Sequence, residues 1–367
     1  MRAILGRIAV VLSVALPAFS CNGFGDFWKS PQEETRLSAE KSITAFSIPA
    51  LGLTGAIYGA VIKLYSEATT TLSPQIPSFT TTGKSVTVGG IEQVSGVTAV
   101  DFTAPVDYVV AAADGSTQVY TVYFLAPRLV PGMSAWFKAD AQAYADGLTM
   151  TTWTDSSGNG NNLSLSYGTK PVFRAGIVNG KPVARFTRVS ASDGLYSNSV
   201  TGFSGSSFTY FLVFRRTAYD TQEQYIFFAN DASAGCSGTA LTQSIQAGAA
   251  GTLLVNRPCN TYYVSSGPDF TDTAGFHILA VRYDAATSRA VQYLDGVVAF
   301  DQVIAPQTLP VITKFMLGNY DHNSGAGDRV FDGDLAELIF YSSAAQDANF
   351  RRIQCYLSEK YAIAPNC

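Results

Sequence analysis

Trp153-Thr154-Asp155-Ser156-Ser157-Gly158-Asn159-Gly160-Asn161-Asn162 and Phe331-Asp332-Gly333-Asp334-Leu335-Ala336-Glu337-Leu338-Ile339-Phe340-Tyr341 are the two stretches whose reading decides the fold. The first must reverse the chain: Gly158 and Gly160 accept positive φ, and the three asparagines tolerate the left-handed region and bond their own backbone. Trp153 anchors that turn in a core. The second reads as a strand. Period-two geometry puts Leu335, Glu337 and Ile339 on one face and Ala336, Leu338 and Phe340 on the other, so at least one face is apolar and buried. Ser343 to Tyr361 follows with Phe350, Ile353 and Leu357 at helical spacing, which predicts a helix laid on the sheet.

These motifs resemble, in order and spacing, the bacterial laminin-G-like, concanavalin-A-like jelly rolls. In that family an early W-x-D-x-S-G-N-G-N loop and a late G-D-I-A-E-x-x-x-Y strand bracket one sandwich. Met133-Ser134-Ala135-Trp136-Phe137-Lys138-Ala139-Asp140 resembles the opening strand, Tyr293-Leu294-Asp295-Gly296 the inner hairpin, and Lys360-Tyr361-Ala362-Ile363 the tail. The resemblance covers roughly residues 128 to 367 and implies recognition rather than chemistry. Upstream, Asp101-Phe102-Thr103-Ala104-Pro105-Val106-Asp107-Tyr108, followed by a hairpin around Asp114-Gly115, resembles bacterial immunoglobulin-like surface repeats. That resemblance implies a spacer without chemistry. The expected fold class is all-β: a small immunoglobulin-like β-sandwich over 41–126, then a concanavalin-A-like jelly-roll sandwich over 128–367 with one C-terminal helix.

Composition agrees with a turn-rich exported β protein, with 14% charged and 12% aromatic residues. Residues 1–20 read as an export signal, with Arg2 and Arg7 before an apolar run from Ile8 to Leu16. The formal charge is −4, and removing that leader brings it to about −6. No basic footprint for nucleic acid or anionic lipid exists, so nucleic acid is excluded as a partner. Ala18-Phe19-Ser20-Cys21 resembles a relaxed lipobox, which implies acylation of Cys21 and a membrane anchor. Residues 21–40 form a polar tether spanning on the order of 25 Å as a random coil.

Five cysteines leave one unpaired in an oxidising compartment, and acylated Cys21 accounts for it. Proximity suggests Cys236 with Cys259 and Cys355 with Cys367, though four cysteines permit three connectivities. Each such loop is worth roughly 3 kcal/mol. No CxxC spacing supports zinc. Ser42 to Ile62 carries no charge but is broken by Pro49 and glycines, so it reads as strands rather than a span.

Four constellations carry candidate chemistry. Asp332, Asp334 and Glu337 place acids as D-x-D-x-x-E, near the E-x-D-x-x-E of jelly-roll glucanases, where two carboxylates must flank a cleft. The competing reading makes them a turn and a structural strand residue. Asp155, Asn159 and Asn161 offer oxygens for Ca²⁺ in one loop, while Asx-turns explain the same residues. Tyr262, Tyr263, Tyr320 and His322, read as loop residues, are candidates for stacking and bonding a sugar. His277 reads as a packed strand residue, and no nucleophile elbow accompanies either histidine.

The reading is an exported, lipid-anchored protein of the cell envelope or surface, in the manner of a bacterial outer-membrane lipoprotein. Its jelly roll is expected to bind a carbohydrate or an extracellular or matrix protein without catalysis. A noncatalytic structural role in the envelope is the alternative. A glycoside hydrolase would require Asp332, Asp334 and Glu337 to converge in an open groove.

Overall fold

The computed structural model describes residues 37–67, 73–166, 168–188, 194–203, 206–217, 224–231, 240–245, 253–257, 261–264, 272–304, 311–320 and 329–364. The leader, Cys21, most of the tether, Cys236, Cys259, His322 and Cys367 lie outside the described residues.

The amino-terminal sandwich is built from β1 (Ile43–Ile48), β2 (Leu53–Thr54), β3 (Ala56–Tyr58), β4 (Val61–Tyr65), β5 (Ser78–Thr81), β6 (Ser85–Val88), β7 (Ile91–Glu92), β8 (Val106–Ala111) and β9 (Thr117–Leu125). A three-stranded sheet, β2-β1-β5, faces a six-stranded one, β3-β4-β9-β8-β6-β7. Phe46, Phe102 and Tyr108 pack edge to face between them. The uncharged stretch around Pro49 is thus strands and a short 3-10 turn. No helix among the described residues is long and apolar enough to cross a membrane. The β8–β9 hairpin closes at Asp114-Gly115, where Gly115 takes φ +86° and Asp114 Oδ1 accepts the Ser116 amide at 2.9 Å.

The larger sandwich follows: β10 (Met133–Lys138), β11 (Val172–Val178), β12 (Lys181–Phe186), β13 (Leu195–Ser197), β14 (Phe208–Arg216), β15 (Gln224–Asn230), β16 (Ala240–Ile245), β17 (Leu253–Arg257), β18 (Thr261–Val264), β19 (His277–Asp284), β20 (Arg289–Leu294), β21 (Val297–Val303), β22 (Lys314–Leu317) and β23 (Gly333–Tyr341). One sheet runs β11-β12-β23-β14-β19-β20-β21, with β10 also paired to β23. The other runs β13-β22-β15-β16-β17-β18. Phe137, Trp153, Phe227, Phe315, Leu335, Leu338 and Phe340 fill the space between them.

The fifteen-residue helix α1 (Asp347–Tyr361) covers the outer face of the first sheet. Phe350, Ile353 and Leu357 contact that face through Trp136, Phe211, Ile339 and Tyr341, as their spacing predicts. This second cover is why β14 and β23 are buried on both faces and read as near-continuous apolar runs.

The strand faces expected for β23 need one correction. Pairing with β14 slips between Val213 and Phe214, so that Glu337 opposes Val213 and Leu335 opposes Phe214, with Ala336 as the extra residue. This bulge turns Ala336, Glu337 and Ile339 toward α1 and leaves Leu335, Leu338 and Phe340 inside.

The two sandwiches meet along α1 through a buried ionic cluster. Lys360 Nζ contacts Glu67 at 2.9 Å, Glu337 at 2.8 Å and Asp140 at 3.0 Å, and Lys138 pairs with Glu67. Tyr65 stacks on Tyr356 with centroids 5.0 Å apart. Glu67 contributes from the smaller sandwich and the remaining charges from the larger. Burying so many charges is tolerable only because each has opposite partners and hydrogen bonds.

Candidate functional site

The acidic triplet is structural. Asp334, fully buried, accepts Arg185 Nε at 2.7 Å on Oδ1, and Arg185 Nη2 at 3.0 Å and Arg215 Nη2 at 2.5 Å on Oδ2. Glu337 accepts Trp136 Nε1 at 2.6 Å on one oxygen and Lys360 Nζ at 2.8 Å with Tyr361 Oη at 2.7 Å on the other. Asp332 accepts Thr217 Oγ1 at 3.0 Å. Glycoside cleavage needs two carboxyls flanking a sugar with room for it between them. Here the two inner acids are enclosed by cations and packed rings, so the open groove required of a hydrolase does not form at this triplet.

The Asp155 loop shows the same economy. Asp155 Oδ1 accepts the amides of Trp136 at 2.9 Å and Ser157 at 2.8 Å, and Oδ2 accepts Ser157 Oγ at 2.6 Å and the Asn161 amide at 3.0 Å. Asn159 and Asn161 turn their Nδ2 groups onto the Ser134 carbonyl, and Asn161 Oδ1 accepts the Thr201 amide at 2.9 Å. A calcium site needs six to eight oxygens aimed at one point. Asp155 and Asn161 spend theirs on N–H and O–H donors, so the loop does not aim that many oxygens at an ion. Among the described residues no group of three or more His, Cys, Asp or Glu converges as a metal site. The loop instead pins β10 against the rest of the sandwich, with Arg128 binding the Ser156 and Ser157 carbonyls from outside.

The aromatic candidates are arranged differently from their expected loops. Tyr262 and Tyr263 lie in β18, the edge strand of the six-stranded sheet. Tyr320, just after β22, belongs to a cluster with Tyr196, Tyr225, Phe228, Ala240 and Met316. This cluster occupies the face turned away from the other sheet, because the alternate residues Leu195, Phe227, Phe315 and Leu317 lie in the inner core.

Register joins the parts. Tyr196 pairs with Met316, Met316 with Phe228, Phe228 with Thr242, Thr242 with Asn256, and Asn256 with Tyr262. A single row therefore crosses all six strands. Tyr320 packs on this row, 5.1 Å edge-on from Phe228 and 4.8 Å from Tyr225. Lys314 Nζ lies 5.0 Å from the Tyr196 centroid and the Arg329 guanidinium 5.5 Å from that of Tyr320.

Asn230 and Ser244 extend the polar part of the face, each in register with one of its residues, Ala240 and Tyr225. Rings, hydroxyls, an amide and two cations share this sheet face, but Phe228 and Asn230 are 0%, Thr242 3% and Lys314 4% exposed, so a ligand reaches them only by way of Tyr196 and Tyr320, each 9% exposed; they contain no acid–base pair. Tyr196, Phe228, Thr242 and Met316 were not singled out in the sequence. The adjacent Phe227-Phe228 pair was a usable signal, since consecutive aromatics in a strand demand a partner on each face.

Cys355 of α1 is disulfide-bonded, and the cysteine it joins is outside the described residues. His277, in β19, binds Asp295 through Nδ1 at 2.6 Å and Asp272 through Nε2 at 3.3 Å, a structural bridge between a turn and a loop.

Residues 189–349 match the family described as concanavalin A-like lectin/glucanases superfamily, and residues 43–123 match the one described as SGBP, N-terminal. Among solved structures, domain 4 of AbnA, a GH43 extracellular arabinanase from Geobacillus stearothermophilus held with arabinotriose, is 18% identical, with 60% of this chain and 97% of that chain covered and a TM-score of 0.43. The CBM40 of a Ruminococcus gnavus IT-sialidase bound to alpha2,3 sialyllactose is 13% identical, with 47% and 94% covered and a TM-score of 0.37. The NanB sialidase from Streptococcus pneumoniae is 16% identical over 46% of this chain at a TM-score of 0.37, and the match spans only 26% of the sialidase. No curated protein matches the chain. The chain therefore carries a concanavalin A-like lectin/glucanase domain at residues 189–349 behind an SGBP amino-terminal domain at residues 43–123.

Proposed function

We propose that the larger sandwich binds carbohydrate, without cleaving it, on the outer face of the six-stranded sheet. The observation that carries this reading is the row from Tyr196 through Phe228 and Thr242 to Tyr262, with Tyr320 packed upon it. The matched superfamily's description, which pairs lectins with glucanases, supports a sugar as the ligand class. The engagement of Asp334 and Glu337 by cations supports binding over hydrolysis.

The whole chain is read as an exported surface protein, tethered by residues 21–40 and anchored by acylated Cys21; acyl chains on the amino-terminal cysteine of the mature protein, read by mass spectrometry, are the mark of that anchor. The disulfides proposed with it are Cys236–Cys259 and Cys355–Cys367.

Glycan-array binding by the full chain tests the main claim. Expected is saturable binding of at least one saccharide, with about fivefold to tenfold loss in Tyr196→Leu, the scale of one lost ring contact, and an intact ligand after prolonged incubation. Absence of any bound glycan contradicts the claim. Turnover abolished by Glu337→Gln would replace it with the hydrolase reading.

A further inference from the structure

We infer that the amino-terminal sandwich, expected to be a mere spacer, holds a second ligand site of its own: a cleft at Gln93 that takes a neutral saccharide. The cleft, about 400 Å³, opens between the β6–β7 hairpin and the segment leading into β8, with Val88, Ile91 and Val106 as its apolar walls and Gln93, Asp101 and Asp107 as polar ones. Ile91 is 68% exposed on the rim, while Gln93 is only 8% exposed.

The chemistry of the ligand follows from what these groups can still do. Gln93 donates its backbone N–H to the Val86 carbonyl at 2.8 Å and its Nε2 to the Ile91 carbonyl at 3.1 Å, which leaves the buried Oε1 without a hydrogen-bond partner. An orphaned buried acceptor is destabilising, and a donor seated in the cleft relieves it. Asp101 is held below the usual carboxylate range by hydrogen bonds from Thr103, its Oδ1 accepting the Thr103 amide at 2.8 Å, and Asp107 Oδ1 accepts Thr121 Oγ1 at 2.7 Å.

Among the side chains lining the cleft, Gln93 Oε1 is the unsatisfied acceptor, Asp101 and Asp107 add carboxylate oxygens, Thr98 accepts the Val94 amide at 2.9 Å and keeps a hydroxyl hydrogen, and no Lys or Arg is present. A ligand must bring donors and an apolar face and must not bring a negative charge. Hydroxyls over the CH face of a neutral sugar meet all three conditions. An ammonium shares the donor chemistry, so a cationic sugar is the control. The site stands independently of the aromatic sheet face, whose Lys314 and Arg329 give it a different electrostatic character.

The test is methyl-detected NMR of the full chain labelled at Ile and Val, titrated separately with arabinotriose, cellotriose, a cationic glucosamine trimer and anionic sialyllactose. Expected are saturable shifts of the Val88, Ile91 and Val106 methyls with a neutral trisaccharide and none with sialyllactose. Gln93→Leu, which removes the orphaned acceptor while keeping the volume, should weaken that binding about tenfold; Asp107→Asn, which keeps a side-chain oxygen for Thr121, should weaken it in the same direction. Methyls unmoved by both neutral sugars, shifts with the cationic trimer alone, or affinities unchanged in both variants would each overturn the assignment. Loss of glycan binding in Tyr196→Leu with these methyl shifts intact would separate the two sites.

Discussion

Glu337 and His277 show what a single ionisable side chain does when its partners come from elsewhere in the chain. The acids of D-x-D-x-x-E were legible in the sequence, but Arg185, Arg215 and Lys360, which neutralise them, are distant in sequence and only folding reveals them. The same holds for two groups that set the pH response. Burial opposes protonation of His277, yet Asp295 and Asp272 outweigh it and raise its pKa. Such a group contributes stability that is complete below the unfolded value near 6.5 and is lost as pH rises through the folded value.

Glu67 behaves in the opposite sense. Burial pushes its carboxyl up, but Lys360 and Lys138 prevail and bring it to about 2, so its contribution is complete above the unfolded value of 4.5 and is lost as pH falls toward the folded one. Urea midpoints should therefore plateau between about pH 4.5 and about pH 6.5 and decline on either side. His277→Gln should flatten the decline on the alkaline side and Glu67→Gln that on the acid side; slopes unchanged in both variants contradict the assignment.

At the level of elements, legibility followed the length and apolarity of the run. The runs of β14, β15 and β19 are apolar and long, and α1 carries its stripe at regular spacing, so all were readable. Ser78–Thr81, Leu195–Ser197 and Thr261–Val264 are short and mostly polar or mixed, and their pairing in β5, β13 and β18 comes from neighbours rather than from their own pattern. The bulge at Ala336 defeated a strict period of two for the same reason: it is set by the register with β14.

The end of α1 offers a direct check on local energetics. Ala362 caps the helix in the left-handed region at φ +53°, and the Ile363 amide returns to the Ser358 carbonyl at 3.2 Å. A Cβ is disfavoured there by about 1–2 kcal/mol, part of which glycine returns through the entropy of its unfolded chain. Ala362→Gly should stabilise the protein by about 0.5–1 kcal/mol in equilibrium unfolding; a loss of stability contradicts the capping geometry.

Across the whole molecule, the two sandwiches share the Glu67–Lys138–Lys360–Glu337 cluster and the Tyr65–Tyr356 stack, so the smaller one is held against α1 rather than strung on a loose linker. That contact commits α1 and its sheet to structure, and the recognition surface proposed above is on the outer face of the other sheet. The row that defines this face joins residues from 196 to 316, a juxtaposition invisible to spacing but fixed by register. Amide hydrogen exchange of the full chain with and without a saturating glycan locates the contact most directly. Expected is increased protection in residues 224–230, 240–245 and 314–317; protection confined to residues 153–162, or no change in any of these strands, would contradict a carbohydrate site on this sheet.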